Sequence, residues 1–292
     1  MSATLTETIT VKPIQSAGEA ITAFNEPLDT SADVVERLIE IPQFSDKYAE
    51  RQWAKEHMAG AFRVFAKMGY NDGAGGHISL RDPVHPDCFW INPYGIHYGM
   101  IKASDLVLVN EDGKPVTPTK YRVNKAGFMI HAALHKARPD VNAACHTHSK
   151  YGRAWSAFGR PIEMLNQDCC YFYNDLSVYE DFGGVVLGNE EGNAIARALG
   201  PSKMNIILQN HGILTCGRTV DQAAGFFIAL EQACEAQLLA EAAAANGIQK
   251  KLIREKEAMF TKEAAGTPEV IYMQFQPEYD MVVKETNGEF LQ

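Results

Sequence analysis

The chain is 292 residues long, 46% hydrophobic and 22% charged, enough to bury a full core in one large domain or two small ones. Its 27 basic and 36 acidic residues leave a formal net charge of −9, which argues against nucleic acid or an anionic membrane face as the main partner. No apolar run approaches the roughly 20 residues that span a bilayer, Met1 to Gln15 lacks the basic start and apolar stretch of a signal peptide, and the six cysteines form no CxxC pair, so a soluble, cytoplasmic protein is expected.

Residues 1–45 show no steady period and read as an N-terminal arm. From Asp46 to Met68, Ala54, Met58, Ala61, Phe62, Phe65 and Met68 recur at three- and four-residue steps, which predicts a helix ended by Gly69 and the turn Asn71-Asp72-Gly73. Between Ile78 and Asn110 the short runs Cys88–Ile91 and Leu106–Val109, punctuated by Gly and Pro, predict strands, with Asp112-Gly113 a hairpin-like turn. Ala126–Ala137 is helical again, Val141–His148 a buried strand reaching a sheet edge, Asn189–Leu199 a helix and Met204–Leu208 a strand. Thr219 with Gln222 reads as a capping box opening a long helix. Beyond Gly266 the chain reads as extended and peripheral. No linker divides residues 46–262, so one α/β domain of helices on a largely antiparallel sheet is expected there, followed by a C-terminal extension over 263–292.

The strongest chemical signal is Cys145-His146-Thr147-His148. Residues two apart in a strand share a face, so His146 and His148 can offer two imidazoles to one metal ion, although a water-bonded edge pair has the same spacing. His211, at a strand end before Gly212, is placed to supply a third ligand. His131 and His135, one helical turn apart, form a rival pair, but the Glu of a zinc-protease helix is missing and their neighbours suit a core-facing helix. His77 lies in a Gly-rich turn that either approaches a ligand or simply makes the turn. No Gly-x-Ser-x-Gly elbow or Walker loop is present, and Cys145 and His146 face opposite sides of their strand. The run Tyr171-Phe172-Tyr173 reads as core or interface, with Tyr171 a proton-donor candidate.

Taken together, Gly75-Gly76-His77-Ile78-Ser79, Ile91-Asn92-Pro93-Tyr94-Gly95, Ala137-Arg138-Pro139-Asp140, His146-Thr147-His148 and Asn210-His211-Gly212 resemble the class II aldolase/adducin family. The resemblance implies a three-layer α/β/α sandwich with a central, mainly antiparallel sheet, and a divalent metal held by His146, His148 and His211. Zinc is the first expectation and Fe(II) the alternative. It also implies a small-molecule substrate and a homotetramer, with Gly76, His77, Tyr94, Gly95 and Lys125 as the substrate-binding set. The pattern departs from the family's sugar-phosphate aldolases at the catalytic Glu, which falls on Gly127. It departs also in the phosphate loops, whose Asn, Thr and Ser pair become His77, Tyr94 and Lys125-Ala126. Asn124–Phe128 resembles the adducin head, and Gly76–Ser79 with Trp90–Pro93 resembles the iron oxygenases of aminocoumarin biosynthesis. The expected activity is a metal-dependent lyase on a non-phosphorylated hydroxy-carbonyl or aromatic carboxylate substrate, with His77 or Tyr171 replacing the missing Glu. A non-haem iron oxygenase and a non-catalytic adducin-like module are the alternatives.

Overall fold

The computed structural model describes residues 40–184 and 189–292. The arm expected over residues 1–45 lies, up to residue 39, outside the described residues. Seven strands form one open sheet among the described residues, in the order β3-β2-β1-β4-β7-β6-β5. They are β1 (His77–Arg81), β2 (Cys88–Ile91), β3 (Val107–Asn110), β4 (Ala143–Thr147), β5 (Leu176–Tyr179), β6 (Asn205–Leu208) and β7 (Gly212–Gly217). All neighbours are antiparallel except β5 and β6, which run parallel. The sheet is therefore mixed, and β5 and β7 are strands that the sequence pattern does not announce.

Helices cover both faces. His77, Ser79, Phe89, Ile91, Val107, Val109 and His146 share one face through the antiparallel registers, and α2 (Lys125–Ala137) lies over it with Phe128 among Phe89, Ile91, Val107 and Val109. Helix α4 (Asn189–Leu199) packs beside α2. The other face receives α1 (Lys47–Lys67), the short α3 (Lys150–Ser156) and the long α5 (Val220–Ala245). Their side chains Met58, Phe62, Phe65, Phe226, Phe227 and Leu230 join Ile78, Leu80 and Cys145 in the main core. Burying one such side chain contributes about 1.5–3 kcal/mol, so the sheet is clamped from both sides.

Local signals explain the helix ends. Asp46 caps α1 by accepting from the Tyr48 amide. Thr219 caps α5 through the Gln222 amide, but the Gln222 side chain turns to the Arg218 N–H instead of closing the reciprocal box.

The extended reading beyond Gly266 is corrected. After α6 (Glu255–Ala265), α7 runs from Pro268 to Thr286 and packs on α5 and α1, burying Ile271, Phe275 and Tyr279. Thr267 caps it and Pro268 occupies its first turn, where a missing N–H costs nothing. Pro277 inside it hides the helical pattern. Helix α6 runs across residue 262, where the sequence pattern places the end of the domain.

Candidate metal centre

His146 is the penultimate residue of β4, and His148 follows the strand directly. His211 sits in the tight turn between β6 and β7, its amide bonded to the Leu208 carbonyl. Because β4 pairs with β7, the strand end and the turn meet, and ligand atoms of all three imidazoles lie within 4.8 Å of one another. The rings sit edge to face, with centroids 4.7 Å apart for His146 and His211, 5.1 Å for His148 and His211, and 5.2 Å for His146 and His148.

The donor atoms are prepared for a cation. His146 Nδ1 lies 2.9 Å from the Ile213 carbonyl, which can only accept, so Nδ1 carries the proton and Nε2 keeps its lone pair. Burial, and then the neighbouring imidazole of His211, hold His146 well below the usual histidine range. Burial and His148 bring His211 down to about 4. His148, one third exposed, is lowered by burial and lifted in part by Asp72, whose carboxylate stands 3.7 Å from its Nδ1. Three neutral imidazoles converging from two strand ends fit a Zn- or Fe-type divalent ion. The residues present therefore fit the metal that the sequence resemblance implies.

The backbone that follows His148 is tied down by the long helix α5. Glu231 of α5 accepts from Ser149 Oγ at 2.5 Å, the Tyr151 amide at 2.7 Å and the Gly152 amide at 2.6 Å. It thereby satisfies the start of α3, whose own cap residue makes no side-chain bond to it. Nothing local in the sequence signals this partner eighty residues away. Phe182, half exposed, faces the His211 ring at 6.5 Å.

Gly76 and His77 reach the cluster. Gly76 has φ +79°, and a Cβ there would stand 2.4 Å from Tyr98 Oη and 3.2 Å from the His146 carbonyl oxygen, so the turn lies against β4 only as glycine. His77 pairs directly with His146 in the sheet, and their rings are 5.3 Å apart. Burial, and then His211, push His77 down to about 3. Both of its ring nitrogens are buried without a hydrogen-bond partner.

The remaining sites are less closely joined. Lys125 opens α2 with an exposed side chain, and the Tyr94 amide bonds to the Arg122 carbonyl near the start of that helix. Tyr94 is half exposed beside Gly95, with no ring contact to the histidines among the described residues. Tyr171 is not brought to the cluster. It is buried on the α5/α7 side of the sheet, near Gly225 and Phe275, with Gln274 and Asp168 at its hydroxyl. Tyr171 and Phe172 are both core, so this run is no free interface patch. The rival pair His131 and His135 converges on Ser79 Oγ, each at 2.7 Å, and not on a cation site.

An α/β sandwich with three histidines at the meeting of two strand ends defines a candidate metal-dependent catalytic domain. Residues 56–238 match the Class II Aldolase and Adducin N-terminal domain, and the chain belongs to that family. Among its relatives, Decarboxylase NovR of Streptomyces niveus is 45% identical over 204 residues, 69% of this chain and 75% of that protein. The 4-hydroxy-3-prenylphenylpyruvate oxygenase/4-hydroxy-3-prenylbenzoate synthase of Streptomyces roseochromogenus subsp. oscitans is 44% identical over 69% of this chain and 73% of its own. The solved structure of L-fuculose 1-phosphate aldolase from Glaciozyma antarctica PI12 is 41% identical, with a TM-score of 0.79, and covers 87% of this chain and 97% of that one.

Proposed function

We propose that this protein is a metal-dependent lyase, of aldolase or decarboxylase type, for a non-phosphorylated hydroxy-carbonyl or aromatic carboxylate substrate. It works in the cytoplasm as a homotetramer, with zinc the first expectation for the metal. His146, His148 and His211 would hold the ion. The observation that carries the reading is the convergence of these three neutral imidazoles beside the buried ring of His77. An interaction module of adducin type has no need of such a set.

When bound, the metal supplies Lewis-acid polarisation of a substrate carbonyl. The chain supplies the rest. His146 is oriented by the Ile213 carbonyl, and His148 by the Ser149–Glu231 anchor. His77, neutral and dry, is the polar group nearest the ligands from β1, and it stands where a general acid or base is wanted because residue 127 has no side chain. Gly76 sets the turn against β4, and Lys125, Tyr94 and Gly95 would contact the substrate.

Three relatives bear on the substrate, in two directions. The name of the Glaciozyma antarctica aldolase points to a sugar phosphate, whereas the Streptomyces niveus relative is named a decarboxylase and the Streptomyces roseochromogenus relative an oxygenase of a prenylated hydroxyphenylpyruvate. The second reading, a non-haem iron oxygenase on the same three histidines, is favoured by the oxygenase name of the 44% identical relative.

Metal analysis of protein purified anaerobically separates the two readings: zinc supports the lyase and iron the oxygenase. A panel of fuculose-, ribulose- and rhamnulose-type phosphates against aromatic hydroxy and keto acids then tests the substrate. Efficient turnover of a sugar phosphate, lost on His77→Ala, overturns the proposal.

A further inference from the structure

Exposure differs across the three converging histidines, and the difference locates the entrance to the cluster. His146 and its sheet neighbour His77 are buried, whereas His148 is a third exposed and His211 half-buried. A molecule arriving from solvent therefore passes the groups that stand against His148 and His211. On the His211 side that group is Phe182. The Gln209 amide bonds to the Tyr179 carbonyl, which starts the segment after β5 beside the turn that carries His211. Phe182 meets the His211 ring edge to face at 6.5 Å and is 47% exposed. Among the described residues it makes no other ring contact, and no other Phe, Tyr or Trp ring meets the three histidines.

On the His148 side stands Arg153 of α3. Glu231 holds the start of this helix through the Tyr151 and Gly152 amides, so the backbone that carries Arg153 is fixed. Arg153 Nη1 lies 3.3 Å from Asp72 Oδ2, the same carboxylate oxygen that stands 3.7 Å from His148 Nδ1. That bond uses one of the five N–H groups of the guanidinium. The others meet no acceptor among the described residues, and the side chain is 55% exposed. A surface ion pair of this kind contributes little. Asp72 thus keeps the guanidinium near the entrance without using it up.

We propose that Phe182 and Arg153 are the specificity residues of this entrance: the Phe182 ring packs against an aromatic ring of the substrate, and the Arg153 guanidinium pairs with its carboxylate. The inference rests on the site described under Proposed function and narrows its substrate from hydroxy-carbonyl compounds at large to an aromatic acid. Aromatic rings favour offset or edge contacts with one another, and the exposed part of Phe182 offers one. A guanidinium presents two parallel N–H groups to the two oxygens of a carboxylate, which a point charge such as Lys125 does not. Ring and guanidinium stand at two different histidines of the same cluster, so a molecule that reaches both lies over its exposed side. A sugar phosphate brings the anion without the ring and would leave Phe182 facing a polyol.

The test is the binding of three small probes to the full, zinc-loaded chain, followed by ligand NMR. Mandelate has both ring and carboxylate, lactate lacks the ring, and mandelamide lacks the charge. The wild type should bind mandelate more tightly than either. Phe182→Ala should weaken mandelate about 3- to 10-fold and leave lactate unchanged, and Phe182→Tyr should restore the wild-type value. Arg153→Gln should weaken mandelate about 10-fold and leave mandelamide unchanged. Both side chains are about half exposed, so the variants fold. Asp72→Asn releases the guanidinium and separates a substrate contact from a structural one: mandelate binding should hold or tighten. Mandelate bound no tighter than lactate or mandelamide by the wild type overturns the proposal. So does a Phe182→Ala loss shared by lactate, an Arg153→Gln loss shared by mandelamide, or an Asp72→Asn loss equal to that of Arg153→Gln. The same titrations on metal-free protein keep the two readings apart. A chain that takes up no zinc counts against the proposed metal centre, while the ranking of the three probes and its dependence on Phe182 and Arg153 still decide the proposal.

Discussion

The ring of His77 fills the space that any side chain at residue 127 would need. A Cβ built on Gly127 would stand 2.5 Å from His77 Cε1 and 2.8 Å from its Nδ1, closer than real Cβ atoms approach. By resemblance this is the position of the aldolases' catalytic Glu. The two departures from that pattern, a histidine at 77 and a glycine at 127, are therefore one exchange: an imidazole from the sheet for a side chain from the helix.

The exchange predicts strong coupling between the two positions. In the third residue of a helix, Gly→Ala would ordinarily stabilise by up to about 1 kcal/mol. Here Gly127→Ala should destabilise, by about 1–3 kcal/mol, because the added methyl displaces a packed ring. In a His77→Ala background the same substitution should turn stabilising. Urea unfolding of the four proteins of this double-mutant cycle measures the coupling, and additive effects would show that the two groups do not compete.

Metal content separates the three converging histidines from the buried pair. His148 is a third exposed, so His148→Ala should cost little stability while removing most of the bound metal. His131→Phe lies outside the cluster and should keep the metal. Inductively coupled plasma analysis after dialysis gives the answer directly; full occupancy in the His148 variant removes it from the site.

The pair His146 and His148 was legible in the sequence because a strand period of two is rigid, and His211 because a histidine at a strand end before glycine has few places to go. The order of α1, β2, β3 and α2 was legible because each is an apolar stripe or run bounded by turn residues, whereas His77, which reads as part of a Gly-rich turn, opens β1. Contacts that need the tertiary fold were not legible. Glu231 reaches Ser149 across 82 positions, and the His77–Gly127 contact depends on how α2 settles on the sheet. Helix α7 was hidden by Pro277, β5 by its polar flanks, and β7 by the glycines at both of its ends.

Buried neutral histidines predict acid lability for the metal-free protein. His77 and His135 are held at about 3 by burial, well below the value of about 6.5 for an unfolded chain. Between those values the unfolded state binds protons that the folded state refuses, so stability present at neutral pH is lost as pH falls below 6.5. Each group contributes a slope of about 1.4 kcal/mol per pH unit over that window. Urea midpoints should fall steadily from pH 7 to pH 5. A flat profile would mean that these rings protonate in place.

The last prediction concerns Glu231, which joins α5 to the start of α3 within one helix layer, directly after the metal-centre residue His148. Its carboxylate accepts three bonds at once, from one hydroxyl and two amides, and all three come from the segment that follows His148. In Glu231→Gln one oxygen becomes an NH2 facing N–H or O–H donors, so at least one buried donor loses its partner. That should cost about 1–3 kcal/mol of stability. The loss should also reach the metal, because Ser149 fixes the backbone on which His148 stands. Groups that orient a ligand are worth about 10–100-fold in metal affinity, and a fall of that order is expected here. Competition with a chelator of known strength reads it in folded protein. If Glu231→Gln lowers stability but leaves the affinity at the wild-type value, the carboxylate serves α3 alone and His148 is held by other contacts.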